Sequence, residues 1–183
     1  MAILRIYTDG ACSGNQHETN VGGWGAVLEY GQTQKELWGG ERNTTNNRME
    51  MTALIEALSA LKKTDQQIEV FSDSAYMMDC FRKKWYISWR KNGWKTANKT
   101  PVENKELWER LLNLTAQHKI SFYRVKGHVN PDHPNTDTDK LYRKFSEWNG
   151  NHFTFDDFLY VTKMNNRADE LANKGMEPLK GSE

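Results

Sequence analysis

Apolar residues recur along the chain with two different periods, and these periods predict the order of strands and helices. The segment 3–8 is short, β-branched and aromatic, which is typical of a strand. Two further strands are predicted at 24–30 and 33–38, and the dipeptide 31–32 is short enough to be a tight turn between them. The first forty residues therefore predict three strands in an antiparallel meander.

The rest of the chain changes to a mainly helical period. Apolar side chains return at helical spacing at Met51, Leu54, Ile55, Leu58 and Leu61. The other predicted elements are strands at 68–72 and 120–125, helices at 75–84 and 103–118, and helical stretches from about 137 to 175. Strands that alternate with helices after a hairpin start predict an α/β fold, in which helices cover a mixed sheet.

Composition sharpens this picture in one respect. With 183 residues, 37% hydrophobic and 27% charged, the chain is expected to form one globular domain with a substantial core. Its net charge of +1 does not by itself predict a polyanionic partner. The segment 82–99, however, contains seven lysines and arginines and no acidic residue. This basic segment indicates a local surface for an anionic ligand.

Cysteine usage and the absence of long apolar runs predict where the protein works. The two cysteines, Cys12 and Cys80, are far apart in sequence and neither belongs to a CxxC pair. We therefore expect neither a zinc site nor a disulfide framework, and a reducing, cytoplasmic location. No signal peptide precedes the first strand, and no apolar run is long enough to span a bilayer, so no membrane association is expected.

Four acidic residues lie in different local contexts that could bring them together. Asp9 and Asp73 end strand-like runs, whereas Glu50 and Asp169 lie in the opening turns of helix-like runs. Sites in α/β sheets form at the carboxyl ends of strands. Clustered carboxylates repel one another and need cations, and oxygen ligands favour hard ions such as Mg²⁺ or Mn²⁺.

Each acid taken alone also has a purely structural interpretation. Asp9 could cap a turn, and Asp73 could be the N-cap of the next helix. Glu50 could complete a capping box with Asn47, and Asp169 could stabilise the first turn of a helix through its dipole. For each acid considered alone, the structural interpretation is favoured over a catalytic or metal-binding role, or is at least as well supported.

Five ordered motifs change that balance. They are TDGACSGN at 8–15, TTNNRME at 44–50, SDS at 72–74, VKGH at 125–128 and ADELA at 168–172. Together they resemble the type 1 ribonuclease H family, from residue 3 to about 128 and again from about 165. The resemblance implies a ribonuclease H-like fold with a five-stranded mixed sheet, which is an antiparallel meander followed by parallel strands.

The resemblance also implies a reaction and roles for the acids. The family hydrolyses the RNA strand of RNA–DNA hybrids by two-metal phosphodiester cleavage and leaves 5′-phosphate and 3′-hydroxyl ends. Asp9 matches the carboxylate that bridges two Mg²⁺ ions, for which Mn²⁺ can substitute. Asp169 would hold the ion on the attacking-water side, and Glu50 and Asp73 the ion on the leaving-group side. His128 matches a mobile catalytic histidine; outside this context it would be interpreted as a surface residue.

Contacts to the nucleic acid are implied in the same way. The positions that match RNA contacts are Cys12, Asn15, Asn46 and Asn47. The positions that match a DNA-phosphate pocket are Thr45 and Asn104. The matching positions in the basic protrusion at about 82–99 are Trp85, Trp89, Trp94 and Lys95. Turn chemistry for the asparagines and core packing for Trp89 are the structural alternatives. Ala75 and Asn43 depart from the glutamine and arginine often found in relatives, and Arg42 is a candidate to replace the arginine.

The segment at about 129–164 is not explained by the resemblance. About thirty residues are expected to be inserted between His128 and Asp169, and a helical pair packed on the body is favoured over a lid or substrate arm. We expect a single catalytic domain over 1–183, without a separate N-terminal hybrid-binding domain, acting as a monomer on RNA–DNA hybrids. Two rival functions stay open: a non-cleaving hybrid-binding module, and a DNA nuclease or strand-transfer enzyme of the same fold.

Overall fold

A computed structural model describes residues 3–14 and 20–180, and its centre is a five-stranded sheet with the spatial order β3-β2-β1-β4-β5. The strands are β1 (Leu4–Ser13), β2 (Val21–Tyr30), β3 (Thr33–Arg42), β4 (Gln67–Ser72) and β5 (Lys119–Arg124). β1, β2 and β3 pair antiparallel, whereas β4 pairs parallel with both β1 and β5. The predicted mixed sheet is confirmed.

Six α-helices cover the two faces of this sheet in the described residues. They are α1 (Asn46–Ser59), α2 (Ala75–Lys83), α3 (Trp85–Asn92), α4 (Lys105–Thr115), α5 (Thr138–Asn149) and α6 (Phe155–Met176), and a 3-10 turn follows at Glu177–Leu179. Because side chains alternate along a strand, Ile6 and Val70 enter the core shared with α1, α2 and α4. Their neighbours Tyr7 and Phe71 enter a second core with α5 and α6.

α6 lies unusually close to the sheet because glycines line its path. A Cβ atom at Gly25 would stand 2.4 Å from the carbonyl oxygen of Ala168, and one at Gly23 only 1.9 Å from that of Ala172. No larger residue fits at these two positions without moving the helix. The glycines therefore determine how near α6, which carries Asp169, comes to β2.

The starts of two helices differ from the predictions. Thr45, not Asn47, is the N-cap of α1, where its hydroxyl accepts from the backbone N–H of Arg48 at 3.1 Å. Glu50 thus lies beyond the capping position, in the second turn, and the predicted capping box is wrong. Asp73 is likewise not the N-cap of α2, because the Ser74 hydroxyl accepts from the backbone N–H three residues later.

The last helix begins much earlier than predicted. α6 starts at Phe155 after a capping box in which Thr154 and Asp157 exchange hydrogen bonds. Asp169 is therefore fifteen residues into the helix, and its predicted place in a first turn is wrong. The apolar spacing that contains Phe158 and Val161 continues into the motif that holds Asp169, so one helix forms where two stretches were expected.

The segment between His128 and Asp169 is part of the packed body. Phe145, Phe153 and Phe158 are buried and join the second core. The Tyr142 hydroxyl donates to the carbonyl oxygen of Phe153 at 2.6 Å. A helical pair thus packs against the sheet. Within residues 3–14 and 20–180, no helix has both the length and the apolar content needed to cross a membrane.

Candidate active site

Three of the four predicted carboxylates meet at the edge of the sheet where the pairing of β1 with β4 ends. One oxygen from each of Asp9, Glu50 and Asp73 lies within 4.8 Å of the others. The β1–β4 ladder ends at the pair Thr8–Ser72, and the residue that follows each member of this pair is an aspartate, Asp9 or Asp73. β1 itself continues to Ser13, beyond the predicted end at residue 8, because β2 remains paired with it.

Glu50 reaches this edge because α1 crosses β1 at a glycine. A Cβ atom at Gly10 would stand 2.4 Å from the backbone nitrogen of Glu50 and 2.8 Å from the Cβ of Met49. The backbone N–H of Gly10 also donates to Asp9 Oδ1 at 2.9 Å. Sequence reasoning assigned no role to Gly10, although its place directly after a candidate ligand was a usable signal.

Burial makes this cluster electrostatically unfavourable in the absence of a cation. Asp9 is 2% exposed and Glu50 8% exposed. Burial, reinforced by the charge of Asp73, raises the pKa of Asp9 from 3.8 to about 8. Burial, and then the charges of Asp9 and Asp73, raises the pKa of Glu50 well above its usual range.

The donor set fits a hard divalent cation. Among the described residues, Glu50 Oε2 is buried and has no hydrogen-bond partner. An unpaired buried carboxylate oxygen is costly, and a cation beside it offsets that cost. Three close carboxylates with only oxygen donors match the preference of Mg²⁺ and Mn²⁺.

Asp169 stands beside the cluster rather than at its centre. It contributes to the raised pKa of Asp9 through a side-chain hydrogen bond and its charge, so the two carboxyl groups are neighbours. On its other side, Asp169 Oδ2 lies 3.8 Å from His128 Nδ1. Asp169 therefore links the buried carboxylates with the histidine.

The loop that carries His128 is held against the site from two sides. A Cβ atom at Gly127 would stand 2.0 Å from Asp73 Oδ2, so the loop backbone lies directly on that carboxylate. Asn166 Nδ2 donates to the carbonyl oxygen of Val129 at 2.7 Å, which ties the loop to α6. His128 has a positive φ of 59° and its side chain is 73% exposed. Asn166 lies two residues before the ADELA motif, yet no role was predicted for it.

The residues predicted to contact RNA and DNA lie on elements that lead into this site. Asn46 and Asn47 form the first turn of α1, ahead of Glu50, and Cys12 lies on β1 beyond Asp9. Asn15 lies outside the described residues. Arg42, the candidate replacement for a pocket arginine, donates to the carbonyl oxygen of Leu179 at 3.4 Å.

An ion pair brings the two predicted pocket residues to one side of the molecule. Thr45 precedes α1, and Asn104 precedes α4 with a positive φ of 60°. Arg48 Nη1 donates to Glu106 Oε1 at 2.9 Å, which joins the first turns of the two helices. The N-cap residues of α1 and α4 therefore face the same region.

The predicted basic protrusion is a chain of tryptophans covered by cations. Trp89 packs between Trp94 and the fully buried Trp108, with ring centroids 5.9 and 5.6 Å away. Trp85 lies on the other side, with its ring centroid 6.4 Å from that of Trp89 and 6.2 Å from that of Tyr76. Lys95, like the other cations of 82–99, is exposed. The three tryptophans thus anchor this segment to the core, while the cations form its outer surface.

Known proteins match the chain over most of its length. The RNase H family model matches residues 2–147. A ribonuclease H from Rhizobium johnstonii is 47% identical over 180 residues, covering 98% of this chain and 95% of that protein. A ribonuclease H from Clostridium botulinum is 51% identical over 141 residues, covering 77% and 93%.

Two solved structures are also similar. The crystal structure of LC9-RNase H1, a type 1 RNase H with the type 2 active-site motif, is 26% identical with a TM-score of 0.70, covering 97% of this chain and 73% of that one. The crystal structure of LC11-RNase H1 in complex with RNA/DNA hybrid is 20% identical with a TM-score of 0.58, covering 96% and 98%. The second of these supports the fold alone.

Proposed function

The chain belongs to the ribonuclease H family, and from this premise we propose that it is an endoribonuclease that hydrolyses the RNA strand of RNA–DNA hybrids, leaving 5′-phosphate and 3′-hydroxyl ends. The observation that supports this most strongly is the assembled acidic cluster, in which Asp9, Glu50 and Asp73 approach within 4.8 Å. A hybrid-binding module that does not cut has no need to bury costly carboxylates together.

Four carboxylates would hold two Mg²⁺ ions, for which Mn²⁺ can substitute. Asp9 would bridge the ions, Asp169 would complete the site on the attacking-water side, and Glu50 and Asp73 would complete it on the leaving-group side. When bound, such ions activate a water molecule and stabilise the leaving oxygen. Burial raises the pKa of Asp9 and of Glu50, so a bound cation favours their ionised forms and its binding is coupled to proton release.

His128 is the proposed proton carrier of the site. It is exposed, lies next to Asp169, and belongs to a loop that Asn166 and Asp73 hold in place. Imidazole side chains can exchange a proton near neutral pH. In this position His128 would transfer a proton at the phosphate oxygens during cleavage or product release.

Selection of hybrids rests on two sets of groups. Cys12, Asn15, Asn46 and Asn47 are proposed to contact the RNA strand, where a 2′-hydroxyl distinguishes RNA from DNA. The proposed contacts to the DNA strand are Thr45, Asn104, Trp85, Trp94 and Lys95, with Trp89 supporting them from below. Exposed cations next to aromatic rings suit a nucleic-acid backbone.

The remaining expectations complete the proposal. The chain would act as one catalytic domain over 1–183, as a monomer in the cytoplasm. The segment at about 129–164 would be an insertion relative to shorter relatives. The rival function as a DNA nuclease or strand-transfer enzyme would use the same carboxylates, so only substrate selection separates it from a ribonuclease H.

A cleavage assay tests the proposal directly. A labelled hybrid, duplex DNA and duplex RNA are incubated with Mg²⁺ or with chelator, and cleavage is expected only in the RNA strand of the hybrid and only with metal. Asp169→Asn should lose activity, whereas Glu170→Gln, the neighbouring exposed acid paired with Arg167, should keep it. Cleavage of duplex DNA, or activity retained in Asp9→Asn, would contradict the proposal.

A further inference from the structure

α5 packs directly against the loop that carries His128. A cavity between them is lined by Lys126 and Val129 of the loop and by Leu141, Phe145 and Trp148 of α5. Phe145 is 2% exposed and belongs to the second core. α5 is therefore a fixed neighbour of the catalytic loop and not a detached arm.

The carboxyl-terminal end of α5 is also clamped to the sheet. The side-chain amide of Asn149 makes both hydrogen bonds that a neighbouring strand would make with Arg124. Its Nδ2 donates to the carbonyl oxygen of Arg124 at 2.7 Å, and its Oδ1 accepts from the backbone N–H of Arg124 at 2.9 Å. Arg82, the first cation of the basic segment, donates to Asn149 Oδ1 at 3.3 Å and to the carbonyl oxygen of Trp148. The basic segment 82–99 therefore contacts the carboxyl-terminal end of α5 through Arg82.

This end of α5 is close to the catalytic carboxylates. Arg124 pairs with Ser72 in the parallel β4–β5 ladder, and Asp73 follows Ser72 directly. Neighbouring strands are about 4.8 Å apart. The carboxyl-terminal end of α5 therefore lies one strand away from the acidic cluster, on the side of the sheet opposite β2 and β3.

The outer side of α5 is strongly basic. A groove of about 560 Å³ is lined by four cations and one acid, a net charge of +3, against +1 for the whole chain. The cations are Lys126, Lys140, Arg143 and Lys144, which together we call the α5 surface. Lys144 pairs with Glu147 at 3.5 Å, but both side chains are more than half exposed, so this pair is weak.

The other cations of the α5 surface are available for an external anion. Within the described ranges, Lys126, Lys140 and Arg143 form no ion pair. The ring of Trp148 lies under the Arg124 guanidinium at 4.2 Å and the Lys144 ammonium at 5.6 Å, which keeps positive charge at the groove floor. Cations without an acidic partner, clustered on a fixed surface, attract anions such as phosphates.

We propose that the α5 surface binds backbone phosphates of the RNA–DNA hybrid beyond the scissile bond, as a second anchoring surface opposite the basic protrusion. This inference rests on the proposed function. The hybrid is favoured over an acidic protein because the α5 surface starts at the edge of the catalytic site and joins the basic protrusion through Arg82, so one extended polyanion can occupy all three.

The test compares Lys140→Gln/Lys144→Gln with the matched control Lys62→Gln/Lys63→Gln. The control removes two exposed lysines that precede the amino-terminal end of β4, whereas the acidic cluster lies at its carboxyl end. Each phosphate contact contributes about 0.9 to the slope of log affinity against log salt concentration. This corresponds to about fivefold in affinity at about 0.15 M salt. For a long hybrid we expect KM to rise about 30-fold and the slope of log KM against log salt to fall by about 2. The control should match the wild type.

The outcomes separate this inference from the proposed function. A wild type that cleaves no hybrid refutes the function itself. A wild type that cleaves, with a Lys140→Gln/Lys144→Gln variant whose KM and salt slope equal those of the control, overturns the α5 surface. Lys140→Arg/Lys144→Arg should restore both quantities; a loss that these arginines leave in place shows a structural cause and also overturns it.

Discussion

Replacing Asp9 by asparagine should make the metal-free protein more stable while abolishing catalysis. Asp9 is 2% exposed, and its pKa is raised from 3.8 to about 8 by burial and by the charge of Asp73. At pH 7 the unfolded chain has an ionised aspartate where the folded chain holds a proton. Asparagine removes this titration and can still accept from the backbone N–H of Gly10, which lies at 2.9 Å.

The size of the effect follows from the pKa difference. Each pKa unit corresponds to about 1.36 kcal/mol, so the interval from 3.8 to pH 7 sets an upper limit of about 4 kcal/mol. Glu50 shares the same burial and repulsion, so relief at Asp9 alone is partial. We expect a gain of about 1–3 kcal/mol in the free energy of unfolding.

The pH dependence gives the sign of the effect. An acid whose folded pKa is raised binds more protons in the folded state, so wild-type stability falls as pH rises from the unfolded pKa towards the folded one. The difference between Asp9→Asn and wild type should therefore be small below pH 4, grow between about pH 4 and pH 8, and then level off.

Urea denaturation in the presence of chelator measures this difference at several pH values. The control is Asp132→Asn, which removes an acid that is 76% exposed. Mg²⁺ should then raise the melting temperature of the wild type and much less that of Asp9→Asn, because a cation that binds only the folded state stabilises it. A variant that is less stable than wild type, with a difference independent of pH, would refute the reasoning from burial.

Three further predictions concern the surroundings of the site. Asn166→Ala removes the hydrogen bond to the carbonyl oxygen of Val129 and should lower kcat. In a double-mutant cycle with His128→Ala, the two losses in kcat should not add. Full additivity would show that this hydrogen bond does not position the histidine. Gly25→Ala places a Cβ 2.4 Å from the α6 backbone and should cost about 1–3 kcal/mol or more in urea denaturation, and an unchanged midpoint would contradict the close packing. Phe145→Ala should cost about 3–5 kcal/mol in the same measurement, since its side chain is only 2% exposed. A loss under about 1 kcal/mol would mean that α5 is not part of the core.

Local sequence signals left some structural details open. Thr45, Asn46 and Asn47 are all good N-cap residues, so the sequence could not decide which of them begins α1. The structure selects Thr45, and Glu50 is thereby moved from a capping position to a site-facing one. The start of α6 was also missed. The helical pair expected at about 129–164 was interpreted separately from the motif around Asp169, although one helix carries both Phe158 and Asp169.

By itself, the sequence determined the kinds of elements, their order and the identity of the carboxylates. Periodicity and motif order depend only on neighbours along the chain, and for this reason the meander, the parallel strands and the family could be recognised without coordinates. The tertiary structure alone decided that residues as far apart as Asp9 and Asp73 lie within 4.8 Å. It also placed the basic side of α5 next to the loop that carries His128. Both depend on close approach between elements that are distant in sequence, which Gly10, Gly25 and Gly127 permit. The short distances between the carboxylates, together with their burial, raise the pKa of Asp9.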